Sequence, residues 1–242
     1  MTNVIEADHL GKHYRGTWAL RDCTLAIPAG HVAALVGPNG AGKTTLLNLA
    51  VGLAEPSAGT VTVLGGRTAG SRAALGGIAF VAQDTPVYQN LSAKDLLHLT
   101  RNLNRHFDRG YARGRLGELG IPLKRKAGKL SGGQQAQLAL TLALGRRPRL
   151  LVLDEPLANL DPVARHDFMA TVMAAVAADG VSVLLSSHVL AELERVADYL
   201  ILLSQGQVQL AGKAGDLLAS HHMVGLEELA LAYLRKTLEV AR

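Results

Sequence analysis

Short apolar runs recur along the chain between turns and helical stretches. Val32–Val36 is continuously apolar and ends in glycine, and Leu150–Leu153 and Val181–Leu185 have the same character. Such runs are typical of strands that are buried on both faces. Val61–Leu64 and Ile78–Val81 are shorter strand candidates. The pattern therefore predicts several short buried strands in the core of an α/β fold.

Helical patterns fill the spaces between these strands. Residues 44–53 and about 163–178 are predicted helices, and the second lies between two buried strands, which makes a βαβ unit and implies a parallel sheet. From Ser92 to Gly120 leucines recur at three- and four-residue spacings, with Ser92 as the N-cap and Asp95 supporting the first turn.

The two ends of the chain are predicted to differ. Residues 3–36 have the pattern of strands joined by short turns, and residues 200–203 and 208–210 form another pair of strands around a Gln205–Gly206 turn. The segment 226–241 predicts an amphipathic helix. Its apolar stripe consists of Leu226, Leu229, Ala230, Tyr233, Thr237 and Leu238.

Composition narrows the class of protein. In 242 residues, 48% are hydrophobic and 19% charged, which allows a sizeable core and argues against disorder. The single cysteine, Cys23, cannot form an internal disulfide and is expected to be a buried apolar residue in a reducing cytoplasm. We predict neither a signal peptide nor a membrane helix, so any membrane role would come through a partner.

The net charge of +5 fits a nucleic-acid binder, a nucleotide binder or a protein beside a negative membrane surface. Small basic clusters stand at Lys124–Lys126 and Arg146–Arg147. We interpret both clusters as charged residues on the solvent-exposed surface.

A phosphate-binding loop is the first element that carries chemistry. Gly37–Thr44 fits G-x-x-x-x-G-K-[ST] at every position, with a predicted strand before it and a predicted helix after it. Glycines allow successive backbone N–H groups to point at phosphate oxygens, and the following helix adds its positive end. Lys43 supplies charge for the β- and γ-phosphates, and the Thr44 hydroxyl suits Mg²⁺.

Two carboxylates end the strand Leu150–Leu153. Asp154 is expected to hold Mg²⁺ through water, and Glu155, one residue further, to orient and polarise an attacking water. Alone the pair would be an ordinary surface feature, but the complete phosphate loop favours a catalytic interpretation.

A second glycine-rich element, Leu130–Gln134, begins 87 residues after Lys43. Ser131 is a suitable N-cap for the helix that follows, and Gly132 and Gly133 leave its start open to close approach. A helix N-terminus of this kind is an anion site. We expect it to face outward, away from the chain's own phosphate loop.

The order of these motifs resembles that of the ATP-binding cassette (ABC) ATPases over about residues 3–215. Tyr14 matches the aromatic residue that stacks on adenine, with Trp18 as an alternative. Gln83 matches the Q-loop glutamine, Leu130–Gln134 the signature, Asp161 the D-loop aspartate and His188 the switch histidine. Seven motifs in one order are highly specific.

The resemblance implies a P-loop NTPase of the ABC type. It implies a mixed sheet core, an antiparallel β subdomain and a small helical subdomain at about 84–145, within an ATPase domain at 1–220 that the C-terminal helix at 221–242 follows. Catalysis is assigned to Glu155, His188 and Gln83, and Mg²⁺ to Thr44, Gln83 and Asp154. Contacts to ATP are assigned to Tyr14, Gly37, Pro38, Asn39, Gly40, Ala41, Gly42, Lys43, Thr44, Thr45, Ser131, Gly132, Gly133, Gln134 and Asp161.

The resemblance also implies partners. The expected assembly is two ATP-binding subunits, as a homodimer or heterodimer, with an integral membrane permease at the cytoplasmic face of the cell membrane and no nucleic acid. Two segments depart from the commonest pattern and could tune the subunit contact. Gln135–Gln137 stands where many relatives carry arginine, and Asn159 stands where a small hydroxyl residue is frequent.

The favoured function is an ATPase that drives a separate exporter of drug, antibiotic or lipid type. The similarity of residues 226–234 to the C-termini of exporter subunits and the absence of an added regulatory domain support export. The alternatives are an importer ATPase, a soluble ABC protein of translation or DNA repair, and a nucleotide sensor. The 46 residues between Gln83 and Leu130 are too few for the coiled-coil arm of a repair protein, and Glu155 argues against a sensor.

Overall fold

The two ends of the chain fold together into one unit, and the middle forms another. The computed structural model describes residues 2–83, 87–189 and 193–240, the last five as backbone only. The first unit contains the described residues of Met1–Leu75 and Ser182–Arg242, and the second those of Gly76–Val181. In chain order the elements are β1 (Asn3–Tyr14), β2 (Thr17–Pro28), β3 (Val32–Val36), α1 (Lys43–Ala50), β4 (Ala58–Val63), β5 (Arg67–Thr68), α2 (Arg72–Leu75), β6 (Ile78–Val81), α3 (Ala93–Leu103), α4 (Arg109–Glu118), a short 3₁₀ helix (Ala127–Lys129), α5 (Gly132–Leu144), β7 (Leu150–Leu153), α6 (Pro162–Asp179), β8 (Ser182–Ser187), β9 (Tyr199–Ser204), β10 (Gln207–Lys213), α7 (Ala214–His221) and α8 (Leu226–Val240).

The first unit contains two strand systems. One is antiparallel, in the order β2-β1-β4-β5, and the long β1–β2 hairpin forms most of it. In the other, β3 lies between β8 and β9 and is parallel to both, while β10 is antiparallel to β9. Every residue of β3, β8 and β9 is buried, which is what their continuous apolar sequence predicts.

The second unit combines a parallel strand pair with a helical subdomain. Strands β6 and β7 pair in parallel, with Val81 opposite Leu153. The helical subdomain has its own apolar core from α3, α4, α5 and the segments between them. Its buried members are Ala93, Leu96, Leu97, Phe107, Ala112, Leu116, Ile121, Ala127, Leu130, Leu138 and Leu142.

Local capping explains where the main helices begin. Ser92 caps α3 in a capping box with Asp95, as predicted. Asp161 caps α6, and Pro162 occupies the first turn, where its missing N–H costs nothing. Gly180 ends α6 in the left-handed conformation with φ 63°.

The helix predicted at 226–241 is present as α8, and it is preceded by a further helix, α7, which the sequence pattern did not predict. In α8 the side chains of Leu226, Leu229 and Ala230 are buried, so this part of the predicted stripe is confirmed. The Glu194 carboxylate accepts a hydrogen bond from the Leu226 N–H and thereby caps α8. Thr237 and Leu238 lie beyond the residues whose side chains are described. The predicted domain boundary near residue 220 stays a prediction.

Two further expectations can be compared with the structure. Cys23 is fully buried, its thiol donates to the Gly206 carbonyl oxygen, and burial raises the pKa of the thiol. No helix among the described residues combines the length and the apolar character that crossing a bilayer requires.

Asp108 joins three helices of the second unit and provides a pH-dependent test of stability. Its carboxylate accepts from the Tyr111 N–H at the start of α4 and from the Arg147 guanidinium, which also binds Asp179 at the end of α6. The Tyr111 hydrogen bond and then Arg147 lower the pKa of Asp108. A carboxyl with a lowered folded-state pKa stabilises the protein above its unfolded-state pKa of about 3.9. That contribution is lost as the pH falls through the folded-state value.

We therefore expect Asp108→Asn to lower the free energy of unfolding by about 1 kcal/mol at pH 7 and by nothing once the pH is below both pKa values. Urea unfolding at a series of pH values measures this difference. Asp216→Asn, in the first turn of α7, is the control for losing one carboxylate. A difference between wild type and Asp108→Asn that does not shrink on acidification would contradict the role given to the charge.

Candidate functional site

The predicted phosphate loop lies between β3 and α1 in the first unit. Lys43 is buried, and its ammonium Nζ donates to the carbonyl oxygens of Gly37 (2.7 Å) and Pro38 (3.3 Å). The loop backbone therefore curls around the lysine. Pro38, Asn39, Gly40 and the Thr44 side chain are exposed, while Thr45 is half-buried. Exposed backbone and a buried cation together suit an anion at this helix N-terminus.

The rest of the first unit supports the loop. The Ala41 carbonyl oxygen accepts from the Gly206 N–H in the β9–β10 turn at 3.1 Å. Gly42 has φ 103°, and a Cβ at this position would lie 2.6 Å from the Ala19 carbonyl oxygen. Both the conformation and the space at position 42 therefore require glycine. The loop pattern predicts this glycine but not the neighbours that enclose it.

Gly42→Ala is expected to destabilise the first unit by about 2 kcal/mol, because a left-handed non-glycine residue is strained and the methyl group meets backbone. Nucleotide binding should fall with it. Thermal unfolding and titration with a fluorescent ATP analogue measure the two effects. Gly114→Ala in α4 is the matched control, since nothing lies within 4 Å of the place that its methyl group would take, and it should be neutral or stabilising. Equal behaviour of the two variants would contradict the steric argument.

The first unit also brings His188 to the edge where the phosphate loop begins. Strands β3 and β8 are parallel, with Val36 opposite Ser187. Gly37 and His188 therefore follow neighbouring strands at the same carboxyl edge, where parallel sheets bind ligands. His188 is exposed, and the preceding Ser187 hydroxyl accepts from the Val189 N–H at 2.9 Å, which shapes the turn.

Tyr14 and Trp18 are both exposed near the end of the β1–β2 hairpin. The Lys12 ammonium lies 5.0 Å from the centre of the Tyr14 ring. The Trp18 ring packs over Gly11 and meets the edge of His13 at a ring-centre distance of 5.3 Å. The Trp18 ring thus packs against residues of its own hairpin.

In the second unit, Gln83 and Asp154 end neighbouring parallel strands. Asp154 is 1% exposed, and its backbone N–H donates to the Val81 carbonyl oxygen at 2.9 Å. Gln83 follows Val81 by two residues and is exposed at the same edge. The unit therefore brings together a carboxylate and an amide that were predicted to bind Mg²⁺.

Glu155 has an unusual backbone. Its φ is 46°, in the left-handed region that few residues other than glycine adopt, and its side chain is half-buried. Such strain often accompanies a functional side chain whose direction matters. The strand pattern predicts the position of Glu155 and gives no sign of this conformation.

Ser131 begins α5 with a reciprocal cap. Its hydroxyl accepts from the Gln134 N–H, and the Gln134 side-chain oxygen accepts from the Ser131 N–H, both at 3.2 Å. Ser131 and Gly132 are exposed. The predicted N-cap is confirmed, and Gln134 has a structural use that the motif alone did not indicate.

The second unit also brings the signature next to the predicted D-loop. A Cβ at Gly133 would lie 2.9 Å from the Ala164 Cβ, so α5 and α6 approach closely there. Asp161 uses its carboxylate to accept from the N–H groups of Val163 and Ala164, at 3.0 and 2.9 Å. Asp161 is therefore the N-cap of α6, and its predicted contact with ATP stays a prediction.

A pocket of about 270 Å³ opens between these elements. It contains signature residues and Asp161, together with Gln137 and Asp167, to which no motif gives a binding role. The sequence offered one signal for Gln137, namely its place one turn after Gln134 on the same helix face. The lining residues are Leu119, Ile121, Ser131, Gly133, Gln134, Gln137, Asp161, Val163, Ala164 and Asp167.

Known proteins with related sequences carry the same cassette. A family model described as ABC transporter matches residues 20–158. The lantibiotic transport ATP-binding protein SrtF of Streptococcus pyogenes is 30% identical, in an alignment that covers 86% of this chain and 90% of SrtF. The phosphonates import ATP-binding protein PhnC of Thiobacillus denitrificans is 32% identical, and the corresponding shares are 90% and 94%.

A solved structure agrees with the fold. The dimeric post-hydrolysis form of the ATP-binding cassette MJ0796, bound to ADP and Pi, superposes with a TM-score of 0.76 at 25% identity. The alignment covers 86% of this chain and 98% of MJ0796. The mixed α/β architecture predicted from the motifs is thereby confirmed. The chain belongs to the ABC transporter ATP-binding proteins, ATPases whose activity is coupled to transport.

Proposed function

We propose that this chain binds Mg²⁺-ATP and hydrolyses it as one of two ATP-binding subunits that drive a separate membrane permease, in the direction of export. The observation that carries the proposal is the phosphate loop, where the buried Lys43 ammonium sits against the loop carbonyls at the N-terminus of α1. A buried cation beside an exposed glycine-rich loop at a helix N-terminus matches a polyphosphate better than any other common ligand.

Phosphate binding follows from groups of the first unit. The N–H groups of Asn39, Gly40, Gly42 and Lys43 and the positive end of α1 would hold the β- and γ-phosphates, and Lys43 would exchange its carbonyl partners for phosphate oxygens. Tyr14 would stack on adenine. His188, which follows a strand next to the loop, would donate a hydrogen bond to the γ-phosphate.

The residues present fit Mg²⁺. Thr44, Asp154 and Gln83 offer a hydroxyl, a carboxylate and an amide, which are the oxygen donors that this ion prefers. Asp154 is a buried carboxylate that directly follows β7, at the edge where parallel strands place their ligands. When bound, Mg²⁺ would neutralise charge on the phosphates. A site with few protein ligands is usual for Mg²⁺, since it retains water and phosphate oxygens.

Hydrolysis is assigned to Glu155. A carboxylate one residue beyond the buried Asp154 and fixed by a left-handed backbone can accept a hydrogen bond from the attacking water and later its proton. Gln83, exposed on the neighbouring strand end, would sense the nucleotide and pass its state to the helical subdomain that follows it in the chain.

The second subunit is inferred from the signature. Ser131 and Gly132 are exposed at the N-terminus of α5, which presents backbone N–H groups to an anion approaching from outside the unit. A second copy or a related chain would supply that anion as its bound ATP. The dimeric form of MJ0796 supports this arrangement.

The proposal also covers the membrane partner, the location of the subunit in the cell and the direction of transport. The subunit would work at the cytoplasmic face of the membrane, bound to a permease encoded separately. The relatives include both a lantibiotic transport subunit and a phosphonate import subunit, so they do not choose a direction. Export is favoured by the similarity of the α8 sequence to the ends of exporter subunits.

Co-purification from native membranes, followed by transport in vesicles, tests the proposal. We expect an affinity-tagged chain to retain an integral membrane protein in mild detergent. Inverted vesicles from the same cells should accumulate an export substrate when ATP is added outside. Accumulation only in right-side-out vesicles loaded with ATP would indicate import. Failure to retain any membrane protein would contradict the permease assignment while leaving the ATPase activity unaffected.

A further inference from the structure

Gln137 is a buried amide with a hydrogen-bond donor that the protein does not use. The residue is 6% exposed, and its side-chain oxygen Oε1 accepts from the Thr171 hydroxyl of α6 at 3.3 Å. No group among the described residues accepts a hydrogen bond from its side-chain nitrogen Nε2. Buried side-chain amides nearly always find partners, and leaving one unpaired is costly. The unused donor therefore indicates a ligand that brings an acceptor.

The neighbours of Gln137 fix the direction of its amide. The Thr171 hydroxyl, which meets Oε1, also accepts from the Arg115 guanidinium of α4 at 2.6 Å. Arg115 in turn forms an ion pair with Glu118 at 3.0 Å. The helices α4, α5 and α6 thus share one hydrogen-bond network. Because the oxygen end of the amide belongs to this network, the nitrogen end is the one that remains for a ligand.

Gln137 lines the pocket of about 270 Å³ beside the signature. This volume is slightly below the range of about 300–1,000 Å³ that is typical of sites for drug-sized ligands, so the pocket suits a smaller organic molecule. Its walls include Leu119, Ile121 and Ala164, whose side chains suit an apolar body. An apolar wall with one placed polar group is the usual composition of a small-molecule site.

The charge of the pocket selects the ligand further. The described residues that line it include two carboxylates, Asp161 and Asp167, and no Lys, Arg or His. Asp161 uses its carboxylate to cap α6, whereas Asp167 is exposed. A negative lining repels a phosphate or a carboxylate and attracts a cation. The described residues contain no group of three potential metal ligands, so the cation that fits is an organic one.

We propose that this pocket binds a compact organic amine with a hydrogen-bond-accepting oxygen at one end and an ammonium group at the other. The oxygen accepts from Gln137 Nε2, the apolar middle lies against Leu119 and Ile121, and the ammonium pairs with Asp167. A nucleotide does not match this pocket, because its phosphates would meet two carboxylates and no cation. The inference goes beyond the proposed function and requires neither a second subunit nor ATP hydrolysis.

Titration of the nucleotide-free full chain with 6-aminohexanamide tests the proposal. This probe joins a carbonyl oxygen to an ammonium through a short methylene chain, and NMR follows the side-chain N–H signals of Gln137. We expect these signals to shift and binding to saturate with a dissociation constant of about 1 mM, an ordinary value for a ligand of this size. Hexanamide, which lacks the ammonium, and hexylamine, which lacks the oxygen, should each bind about fivefold more weakly.

Two variants separate the two ends of the ligand. Gln137→Leu should weaken 6-aminohexanamide and hexanamide about fivefold and leave hexylamine unaffected. The Thr171 hydroxyl keeps the Asp167 carbonyl oxygen as an acceptor at 2.9 Å, so the fold should persist. Asp167→Asn, at an exposed position, should abolish the advantage of 6-aminohexanamide over hexanamide. Glu227→Gln removes one carboxylate from the exposed side of α8, and this matched control should bind all three probes as the wild type does.

Three results would overturn the proposal. They are Gln137 signals that do not move with 6-aminohexanamide, equal binding of 6-aminohexanamide and hexanamide to the wild type, and tighter binding of adenosine than of 6-aminohexanamide. The affinity of the phosphate loop for ATP, measured in parallel, should be the same in all three variants. A failure of this proposal is therefore distinct from a failure of the proposed ATPase mechanism.

Discussion

Glu155→Gln is expected to bind ATP normally and to hydrolyse it about 10²- to 10⁴-fold more slowly, the range lost when a general base is removed. The side chain keeps its size and hydrogen-bonding ability but can no longer accept a proton. The backbone at residue 155 is already left-handed, with φ 46°, and glutamine makes the same steric demand there as glutamate. The substitution therefore removes the ability to accept a proton and should leave the fold unchanged.

Single-turnover release of phosphate and equilibrium binding of ATP measure the two halves of this prediction. Glu227→Gln, on the exposed side of α8, removes a carboxylate elsewhere and should leave both unchanged. A Glu155→Gln protein that hydrolyses ATP at the wild-type rate would remove Glu155 from the mechanism. Loss of ATP binding would instead give this residue a structural role.

Ser131→Arg should leave ATP binding to the phosphate loop intact and abolish ATP-dependent dimerisation. The residue is exposed at the N-terminus of α5, where a long cationic side chain would occupy the space intended for the partner's nucleotide. The effect is expected to be all or none, because a dimer with two ATP molecules at its interface needs both signatures. Sedimentation velocity with ATP, in the Glu155→Gln background so that ATP persists, gives the measurement.

The structure adds a control that this experiment needs. Ser131 also caps α5, so replacing it by a residue that cannot cap, such as alanine or arginine, costs about 1 kcal/mol of stability. Ser131→Ala loses the hydroxyl, and with it the cap, without adding bulk, so its dimer should be weaker than that of the wild type but still present. A dimer of Ser131→Arg with normal stability would refute the two-subunit arrangement, and an equal loss of dimer in Ser131→Ala would assign the effect to the lost hydroxyl and not to the added bulk.

Much of the fold was predictable because its signals are local. Continuous apolar runs predicted β3, β6 and β7 with the observed bounds. A strand that is buried on both faces needs an apolar residue at nearly every position, so its sequence is easy to identify. Ser92 and Asp95 predicted the start of α3 through a reciprocal cap. The apolar stripe predicted α8 from Leu226, whereas α7 was not predicted, and none of its residues is buried. The contact by which Glu194 caps α8 joins positions 32 residues apart and was also not predictable.

The residues of the candidate site could be predicted from the sequence, but the residues that surround them could not. The spacing of residues in the sequence located Lys43, Asp154 and Ser131, because each belongs to a short motif whose members are adjacent in the chain. Spacing did not show that Asp161 uses its carboxylate to cap α6. It also did not show that Gln137 lines the pocket beside the signature, since α5 and α6 meet only after folding.

The amino-acid sequence alone defines the phosphate loop, the order of the motifs and the family, because these depend on glycine positions and hydrogen bonds within a few residues of one another. Folding selects the neighbours that enclose each motif, namely Ala19 at Gly42, Ala164 at Gly133, and the loop 123–125 at the start of α3. These contacts join positions 23 to 32 residues apart in the chain. They therefore form only when whole helices and strands pack, and they cannot be predicted from the local conformational preferences of the backbone.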